Sequence, residues 1–224
     1  MFSRIVGLIV RLFVACRLAA RSVLDLLIEF LFPLQCLGCE AELTLMCDEC
    51  LQAIPVRDYA SGKEGELDKL IVATDFEAVQ NYIHVFKYGF VTGLAEPLAQ
   101  VILKRINGLE GDYILMPVPL HARRLRERGF NQSELLAVQV SRVKGWPLST
   151  SLARKRYTKP QAELSRKKRL TNLKEAFYLK APVAGRQVIL IDDVYTTGAT
   201  MNECARALRS GGAASVYGLV LARG

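Results

Sequence analysis

Short apolar runs alternate with longer segments of helical periodicity from residue 70 to the end of the chain. Four runs have the length and the flanking turn residues of strands: residues 70–76, 114–119, 188–191 and 216–222. Four segments have the 3.6-residue spacing of helices: residues 79–87, 94–105, 131–140 and 200–209. Strands that alternate with helices predict an α/β fold with a mostly parallel sheet flanked by helices.

The first 32 residues follow a different pattern. They are very apolar, but the charged residues Arg4, Arg11, Arg17, Arg21, Asp25 and Glu29 interrupt them. No uncharged run therefore reaches the ~20 residues that a membrane-spanning helix requires. At about 100° per residue the charges fall within an arc of roughly 140°, which predicts an amphipathic helix with a wide apolar face. Three interpretations are open: the face packs on the protein's own core, lies on an anionic membrane, or belongs to a targeting presequence.

The positive charge of the chain is concentrated in one region. The 224 residues include 30 Lys and Arg against 22 Asp and Glu, a net charge of +8. Residues 123–174 carry a local net charge of +12, so the rest of the chain sums to −4. A basic region predicts an anionic partner but does not identify it. Hydrophobic residues make up 51% of the chain and charged residues 23%, which is a globular composition.

Four of the six cysteines form two CxxC pairs separated by seven residues: Cys36, Cys39, Cys47 and Cys50. Each pair can chelate one ion from a tight turn, and four thiolates complete a tetrahedral zinc site without an open position. We therefore expect a structural zinc ion that takes no part in catalysis. An iron–sulfur cluster, two disulfides or four unrelated thiols are the alternatives. The absence of a secretory signal argues against disulfides.

The segment with the clearest chemistry begins where the predicted strand 188–191 leads into Asp192 and Asp193. A loop and the start of a helix follow: Tyr195, Thr196, Thr197, Gly198, Ala199 and Thr200. Backbone N–H groups at a helix N-terminus bind anions, and the threonines add hydroxyl donors. The two acids would repel a phosphate but can accept hydrogen bonds from a sugar diol, so the segment predicts a ribose 5-phosphate site. An acidic turn followed by a helix cap is the alternative without a ligand.

These residues resemble the phosphoribosyl-pyrophosphate (PRPP) motif of the type I phosphoribosyltransferases. Further motifs resemble the competence protein F (ComF/GntX-like) branch of that fold: Pro117-Val-Pro-Leu, Arg124, Arg128-Gly-Phe-Asn-Gln132, Leu135-Leu-Ala137, Thr158, Gln161, Arg169, Asn172 and Phe177. The four cysteines resemble the N-terminal zinc ribbon of that family. The resemblance implies a type I phosphoribosyltransferase-like domain over residues 60–224, a zinc ribbon over 33–59 and a preceding amphipathic helix over 1–32.

The resemblance also implies roles for single residues. Asp192 and Asp193 would hold the ribose diol and would be the catalytic residues of an active enzyme. Residues 195–200 would surround the 5-phosphate, and Arg124 and Arg128, after the turn at Pro119, would face the pyrophosphate. A magnesium ion would bridge pyrophosphate and ribose oxygens.

The most basic part of the chain has two functional interpretations. It comprises two clusters: Arg154, Lys155, Arg156 and Tyr157, and Arg166, Lys167, Lys168 and Arg169. These clusters fall where type I enzymes have a mobile hood over the active site. They can also neutralise the phosphates of a single-stranded nucleic acid, with Tyr157 stacking on a base. A solvated surface is the alternative without a ligand.

Two functional hypotheses follow. In the first, the protein acts in bacterial DNA uptake during natural transformation, with a PRPP-type pocket and a basic arm for single-stranded DNA. In the second, it is an active, magnesium-dependent phosphoribosyltransferase that transfers the phosphoribosyl group to an unidentified acceptor. The family resemblance implies a cytoplasmic location near the inner membrane, with the DNA-uptake machinery and the membrane surface as candidate partners.

Overall fold

The computed structural model describes residues 34–57, 62–89, 91–155 and 176–224. The predicted amphipathic helix over residues 1–32 lies outside the described residues. The chain divides between Cys47 and Asp48 into two compact units. The domain boundaries inferred from the resemblance stay predictions.

The described part of the first unit, residues 34–47, forms a small hairpin. Gln35 and Glu42 form an antiparallel bridge, and the Leu43 N–H donates to the Leu34 carbonyl at 2.7 Å. Glu40 and Leu43 adopt left-handed backbone conformations, with φ of 64° and 67°. These tight turns bring Cys36, Cys39 and Cys47 close together in a segment that has too few apolar residues for a core of its own.

The second unit contains helices and strands in alternation. The helices are α1 (Asp48–Ala53), α2 (Phe76–Tyr88), α3 (Ala95–Arg105), α4 (Ala122–Arg128), α5 (Gln132–Lys144) and α6 (Ala199–Ser210), and a single 3₁₀ turn covers Thr92–Leu94. The strands are β1 (Lys69–Asp75), β2 (Tyr113–Pro117), β3 (Leu152–Arg154), β4 (Phe177–Leu179), β5 (Gln187–Tyr195) and β6 (Ser215–Arg223).

Four strands form a parallel sheet in the order β1-β6-β5-β2. Leu190 of β5 lies opposite Met116 of β2 on one side and Gly218 of β6 on the other. The sheet is buried on both faces, which explains why its strands are continuous apolar runs rather than alternating ones. This architecture confirms the predicted parallel α/β fold.

Helix α6 packs on one face of the sheet and against the antiparallel strand pair β3–β4. The apolar core there includes Val188 and Leu190 of β5 together with Met201 and Leu208 of α6, all buried. Helices α3 and α5 pack on each other and on the sheet. Burial of each large apolar side chain stabilises the fold by about 1.5–3 kcal/mol, so the core holds the strand ends that carry the site in place.

The structure corrects the predicted local structure at two points. The strand expected over residues 188–191 continues to Tyr195, because β6 pairs with it along its whole length and Tyr195 still lies opposite Arg223. The expected turn after Pro119 is followed by helix α4, whose sequence ARRLRER has no helical apolar periodicity. Among the described residues, the helices are too short or too polar to cross a membrane.

Candidate functional site

A cleft of about 930 Å³ lies at the carboxyl ends of β2 and β5. Its walls come from α2, the segment after β2, α4, the start of α5, β3 and the loop before α6. In open α/β sheets, ligands bind beyond the carboxyl ends of the strands. The position and size of the cleft are those of a small-molecule site.

Asp192 and Asp193 lie in the second half of β5, and both line this cleft. The Ser133 hydroxyl at the start of α5 donates to Asp192 Oδ1 at 2.7 Å. The Asp193 carboxylate is buried and forms an ion pair with Lys87 of α2, with 2.8 Å between Nζ and Oδ2. Each acid is therefore held by a different helix.

Burial of the Asp192 carboxyl raises its pKa to about 7, and the neighbouring Asp193 charge acts in the same direction. The Ser133 hydrogen bond and the Lys87 charge oppose this rise but do not cancel it. A carboxyl with such a pKa exchanges its proton near neutral pH, which is a property of functional sites more often than of structural ion pairs.

The loop between β5 and α6 has the features expected of an anion-binding loop, and we refer to it as the anion cradle. Gly198 precedes the first residue of α6 with φ of 71°, a left-handed conformation that favours glycine. A Cβ at this position would collide with the Tyr195 hydroxyl. Thr196 and Thr200 line the cleft. The Thr197 hydroxyl oxygen is buried and has no hydrogen-bond partner among the described residues. The cradle therefore combines the N-terminus of a 12-residue helix with hydroxyl donors.

Two residues support this loop from the side away from the cleft. The Asn202 side-chain amide donates to the Gly198 carbonyl at 2.9 Å, and its Oδ1 accepts from the Glu66 N–H at 2.6 Å. Tyr195 is buried, and its hydroxyl lies 3.4 Å from Glu64 Oε1. Tyr195 was expected among the residues that surround a phosphate, and its side chain packs beneath the loop.

The cluster of four arginines after Pro119 divides into two pairs. Arg124 and Arg128 line the cleft, and the Arg128 guanidinium donates to Gln132 Oε1 at 2.6 Å. Arg123 and Arg126 are exposed and are not among the cleft-lining residues, and Arg123 forms an ion pair with Glu127, which does line the cleft. The helical turn of α4 places residues four apart on the same side, which explains why Arg124 and Arg128 share the cleft wall.

The basic arm consists of the two clusters at residues 154–157 and 166–169, and the structure describes its first two residues, Arg154 at the end of β3 and Lys155. Arg154 lines the cleft, and its guanidinium lies 5.2 Å from the Phe177 ring centroid. Burial lowers the pKa of Arg154, and the charge of Arg124 adds to this effect. Lys155 is exposed, and its N–H donates to the Ala176 carbonyl at 2.9 Å. The rest of the arm lies outside the described residues: Arg156, Tyr157, Arg166, Lys167, Lys168 and Arg169.

Sequence reasoning missed three residues that contact the predicted site. Ser133 and Lys87 bond directly to the acids, and Gln132 orients Arg128. The Gln132 side-chain amide nitrogen is buried and unpartnered within the described ranges. The sequence did offer a signal for Gln132 and Ser133. Asn131 already caps α5 by accepting from the Ser133 N–H at 3.2 Å, so the side chains of these two polar residues are not needed for the cap. Lys87 offered no signal, because a lysine in the last turn of a helix is common.

The four cysteines Cys36, Cys39, Cys47 and Cys50 are brought together, with their Sγ atoms all within 4.8 Å of one another. The Sγ atoms of Cys39 and Cys47 are 3.5 Å apart, well beyond the about 2.05 Å of a disulfide bond. Zn–S bonds of about 2.3 Å in a tetrahedron separate the sulfurs by roughly 3.8 Å. The Cys47 N–H also donates to Cys36 Sγ at 3.3 Å, an outer contact typical of metal-bound thiolates. The cluster therefore fits a metal ion such as zinc.

Comparison with known proteins relates this chain to a defined family. The model of the phosphoribosyl transferase domain matches residues 131–224. The DNA utilization protein YhgH of Escherichia coli (strain K12) is 36% identical over 188 residues, which are 80% of this chain and 78% of that protein. Competence protein F of Haemophilus influenzae is 32% identical over 205 residues, 84% of this chain and 90% of that protein.

A solved purine phosphoribosyltransferase from Pyrococcus horikoshii aligns with 58% of this chain and 74% of its own, at 17% identity and a TM-score of 0.38. The identities to the two relatives extend over most of both chains, and the domain match includes the acid pair and the loop before α6. The chain therefore belongs to the competence protein F (ComF/GntX-like) family, with a domain of the phosphoribosyltransferase type.

Proposed function

We propose that this protein acts in bacterial DNA uptake and that its cleft binds a phosphorylated ribose such as PRPP. The names of the relatives support the first part, since they are a DNA utilization protein and a competence protein. The second part rests on one observation. A pair of carboxylates, a helix N-terminus with hydroxyl donors, and three arginines all line the same cleft.

Each part of the cleft matches one part of such a ligand. The N–H groups and hydroxyls at residues 196–200 suit a 5-phosphate. Asp192 and Asp193 suit the ribose hydroxyls, because ionised carboxylates only accept hydrogen bonds. Arg124, Arg128 and Arg154 suit a pyrophosphate, which planar guanidinium groups bind in bidentate fashion.

Magnesium fits this site as an ion carried by the ligand. Lys87 occupies Asp193 Oδ2, and Ser133 donates to Asp192 Oδ1. Mg²⁺ prefers hard oxygen ligands and keeps several waters, so pyrophosphate and ribose oxygens would supply its other contacts. The ion would neutralise the charge of the pyrophosphate.

Calorimetric titration of the protein with PRPP and Mg²⁺ tests the pocket. We expect micromolar binding, and we expect Asp192→Asn with Asp193→Asn to weaken it by at least about tenfold, because two charge-assisted hydrogen bonds are lost. Glu110→Gln with Asp112→Asn is the matched control, since both residues are exposed and lie before the amino end of β2, whereas the cleft is at its carboxyl end. Equal binding by the two double variants would reject the ribose-phosphate site.

Phosphoribosyl transfer is the second candidate function. The cleft continues beyond the acids along α2, where Gln80, Asn81 and His84 line it and leave room for an acceptor. Pyrophosphate release in the presence of a panel of bases, amines and nucleotides tests this candidate. Release that requires an acceptor and is lost in Asp192→Asn with Asp193→Asn would establish transfer, and no release with any member of the panel would reject it.

We further propose that the basic arm binds single-stranded DNA. The local net charge of +12 over residues 123–174 supports this role, because lysines and arginines that neutralise phosphates dominate nonspecific nucleic-acid affinity. The cleft is a poor site for DNA itself, since deoxyribose lacks the 2′-hydroxyl that the acid pair would accept. The cleft and the arm are therefore assigned different ligands.

A further inference from the structure

The ion pair between Lys87 and Asp193 lies inside the cleft that is proposed to hold the ligand. Lys87 is in the last turn of α2, and its side chain is 21% exposed, while that of Asp193 is 9% exposed. Both residues line the cleft. A lysine is rarely so well covered unless it is paired or functional, and this one carries its charge to the floor of a ligand site.

The geometry leaves bonding capacity on both members of the pair. An ammonium group has three N–H donors, and Asp193 is its one ion-pair partner among the residues that the structure describes. A carboxylate can accept about four hydrogen bonds, so Asp193 can hold Lys87 and still accept from a sugar hydroxyl. A bound ligand therefore does not have to displace Lys87.

The ion pair between Lys87 and Asp193 also affects the net charge of the cleft. Two adjacent carboxylates would repel a polyanion such as PRPP, and Lys87 compensates one of them. Lys87 also lies on the same wall of the cleft as Arg128. The Arg128 guanidinium is 5.3 Å from the ring centroid of Tyr88, the residue that follows Lys87. This wall is the one that the proposed function assigns to pyrophosphate.

We propose that Lys87 is a ligand-binding cation of the cleft: its ammonium group stays on Asp193 and donates its remaining N–H bonds to pyrophosphate oxygens of the bound ligand. This inference rests on the proposed function, because it specifies a contact within that ribose-phosphate site. It predicts that Lys87 raises the affinity for PRPP much more than the affinity for ribose 5-phosphate, which has no pyrophosphate.

Titration of PRPP and of ribose 5-phosphate into wild type and Lys87→Met, without and with Mg²⁺, tests the contact. We expect Lys87→Met to weaken PRPP binding by about tenfold to a hundredfold, the range for a hydrogen bond with a charged group. The factor by which ribose 5-phosphate binding weakens should be less than about a third of the factor for PRPP. The loss for PRPP should be smaller with Mg²⁺, since the metal supplies part of the missing charge. Lys87→Arg should recover part of the affinity.

Two further variants separate a ligand contact from a structural ion pair. Lys69→Met removes the same charge at the amino end of β1, the opposite edge of the sheet, and should leave both affinities unchanged. Lys87→Met with Asp193→Asn avoids a stranded buried carboxylate, which by itself would destabilise the fold. The ratio of the two dissociation constants should stay as altered in this double variant as in Lys87→Met.

The outcomes distinguish this inference from the proposed function. If the wild type binds neither ligand, the ribose-phosphate site is rejected and the Lys87 contact with it. If the wild type binds PRPP but Lys87→Met binds it as well or better, only the Lys87 contact is rejected. A ratio that returns to the wild-type value in the double variant also rejects it, because the effect then came from the stranded Asp193 carboxylate.

Discussion

Asp192 and Asp193 show how neighbouring residues of the same type acquire different properties from their surroundings. Asp193 has a cation at 2.8 Å, whereas Asp192 has a neutral hydroxyl donor at 2.7 Å and a like charge beside it. A cation stabilises a carboxylate more than a hydroxyl does. The pair therefore offers one carboxylate that is held by a cation and one acid whose pKa is about 7.

The raised pKa of Asp192, about 7, predicts that the protein loses stability as the pH rises from 5 to 7. In this interval the unfolded state has already released the proton that the folded state still holds, so rising pH favours unfolding. The loss is on the order of 1 kcal/mol per pH unit at most. Denaturant unfolding of wild type and Asp192→Asn across this range measures it, and the variant should have a flatter profile.

Asp68→Asn is the control for this pH profile. Burial tends to raise the pKa of Asp68, but hydrogen bonds from the Val216 N–H and Arg209 outweigh it, and the pKa lies below its usual value. The stability that Asp68 contributes is present above about pH 4 and is lost only in stronger acid. This variant should keep the wild-type slope between pH 5 and pH 7. The same slope in Asp192→Asn would contradict the assignment.

At the scale of elements, the anion cradle depends on how β5, its loop and α6 follow one another. Pairing with β6 keeps β5 extended as far as Tyr195, and Gly198 then serves as the N-cap of α6 with φ of 71°. The side-chain amide of Asn202, one turn into α6, donates a hydrogen bond to the Gly198 carbonyl. This arrangement places the loop and the first turn of α6 at the cleft, where Thr196 and Thr200 line it.

The four-cysteine cluster is the second candidate site, with its Sγ atoms all within 4.8 Å of one another. Cys47→Ser should abolish metal binding, because the cluster then has three thiolates and a poor fourth ligand. Native mass spectrometry should find one zinc ion per wild-type chain and none in the variant. The domain should also unfold at a lower temperature, since metal binding contributes to folding.

Cys204→Ser is the matched control for the metal site. Cys204 is buried in α6 within the sheet core and is not part of the four-cysteine cluster. This variant makes the same chemical change and should retain a full zinc load. Retention of zinc by Cys47→Ser, or its loss from Cys204→Ser, would refute the assignment of the site.

At the scale of the whole molecule, positive charge is separated along the sequence from the remaining net negative charge. If the arm binds single-stranded DNA, log affinity should fall with log salt concentration by about 0.7 per neutralised phosphate. Replacement of Arg166, Lys167, Lys168 and Arg169 by Gln should weaken binding and reduce this slope by up to about 3. Fluorescence anisotropy of a labelled oligonucleotide at several salt concentrations measures both quantities.

A control with the same change in charge separates a local arm from the overall charge of the protein. Four cations outside residues 123–174 serve for this purpose: Lys63, Lys69, Lys180 and Arg186. Their replacement by Gln should leave the affinity and the slope nearly unchanged. Equal losses in the two variants, or binding that does not depend on salt, would contradict a dedicated arm.

The sequence by itself determined the alternation of the four sheet strands with helices, the cysteine pairs and the segment around Asp192 and Gly198, whereas α1, α4, β3 and β4 were not predicted. These features are local: apolar periodicity reports which positions are buried, and CxxC spacing reports a chelating turn. The family resemblance rested on the same local motifs. They were sufficient to predict a parallel sheet with a ribose-phosphate loop and a metal cluster.

Tertiary structure alone decided which side chains surround the acids and which arginines enter the cleft. Ser133 and Lys87 are 59 and 106 residues away from their partners, so only the packing of α5 and α2 at the sheet edge brings them to Asp192 and Asp193. The choice of Arg124 and Arg128 over Arg123 and Arg126 depended on the orientation of α4, whose polar sequence has no periodic apolar face to set it in advance. Contacts between distant segments follow from the packing of whole elements, and local sequence patterns do not encode them.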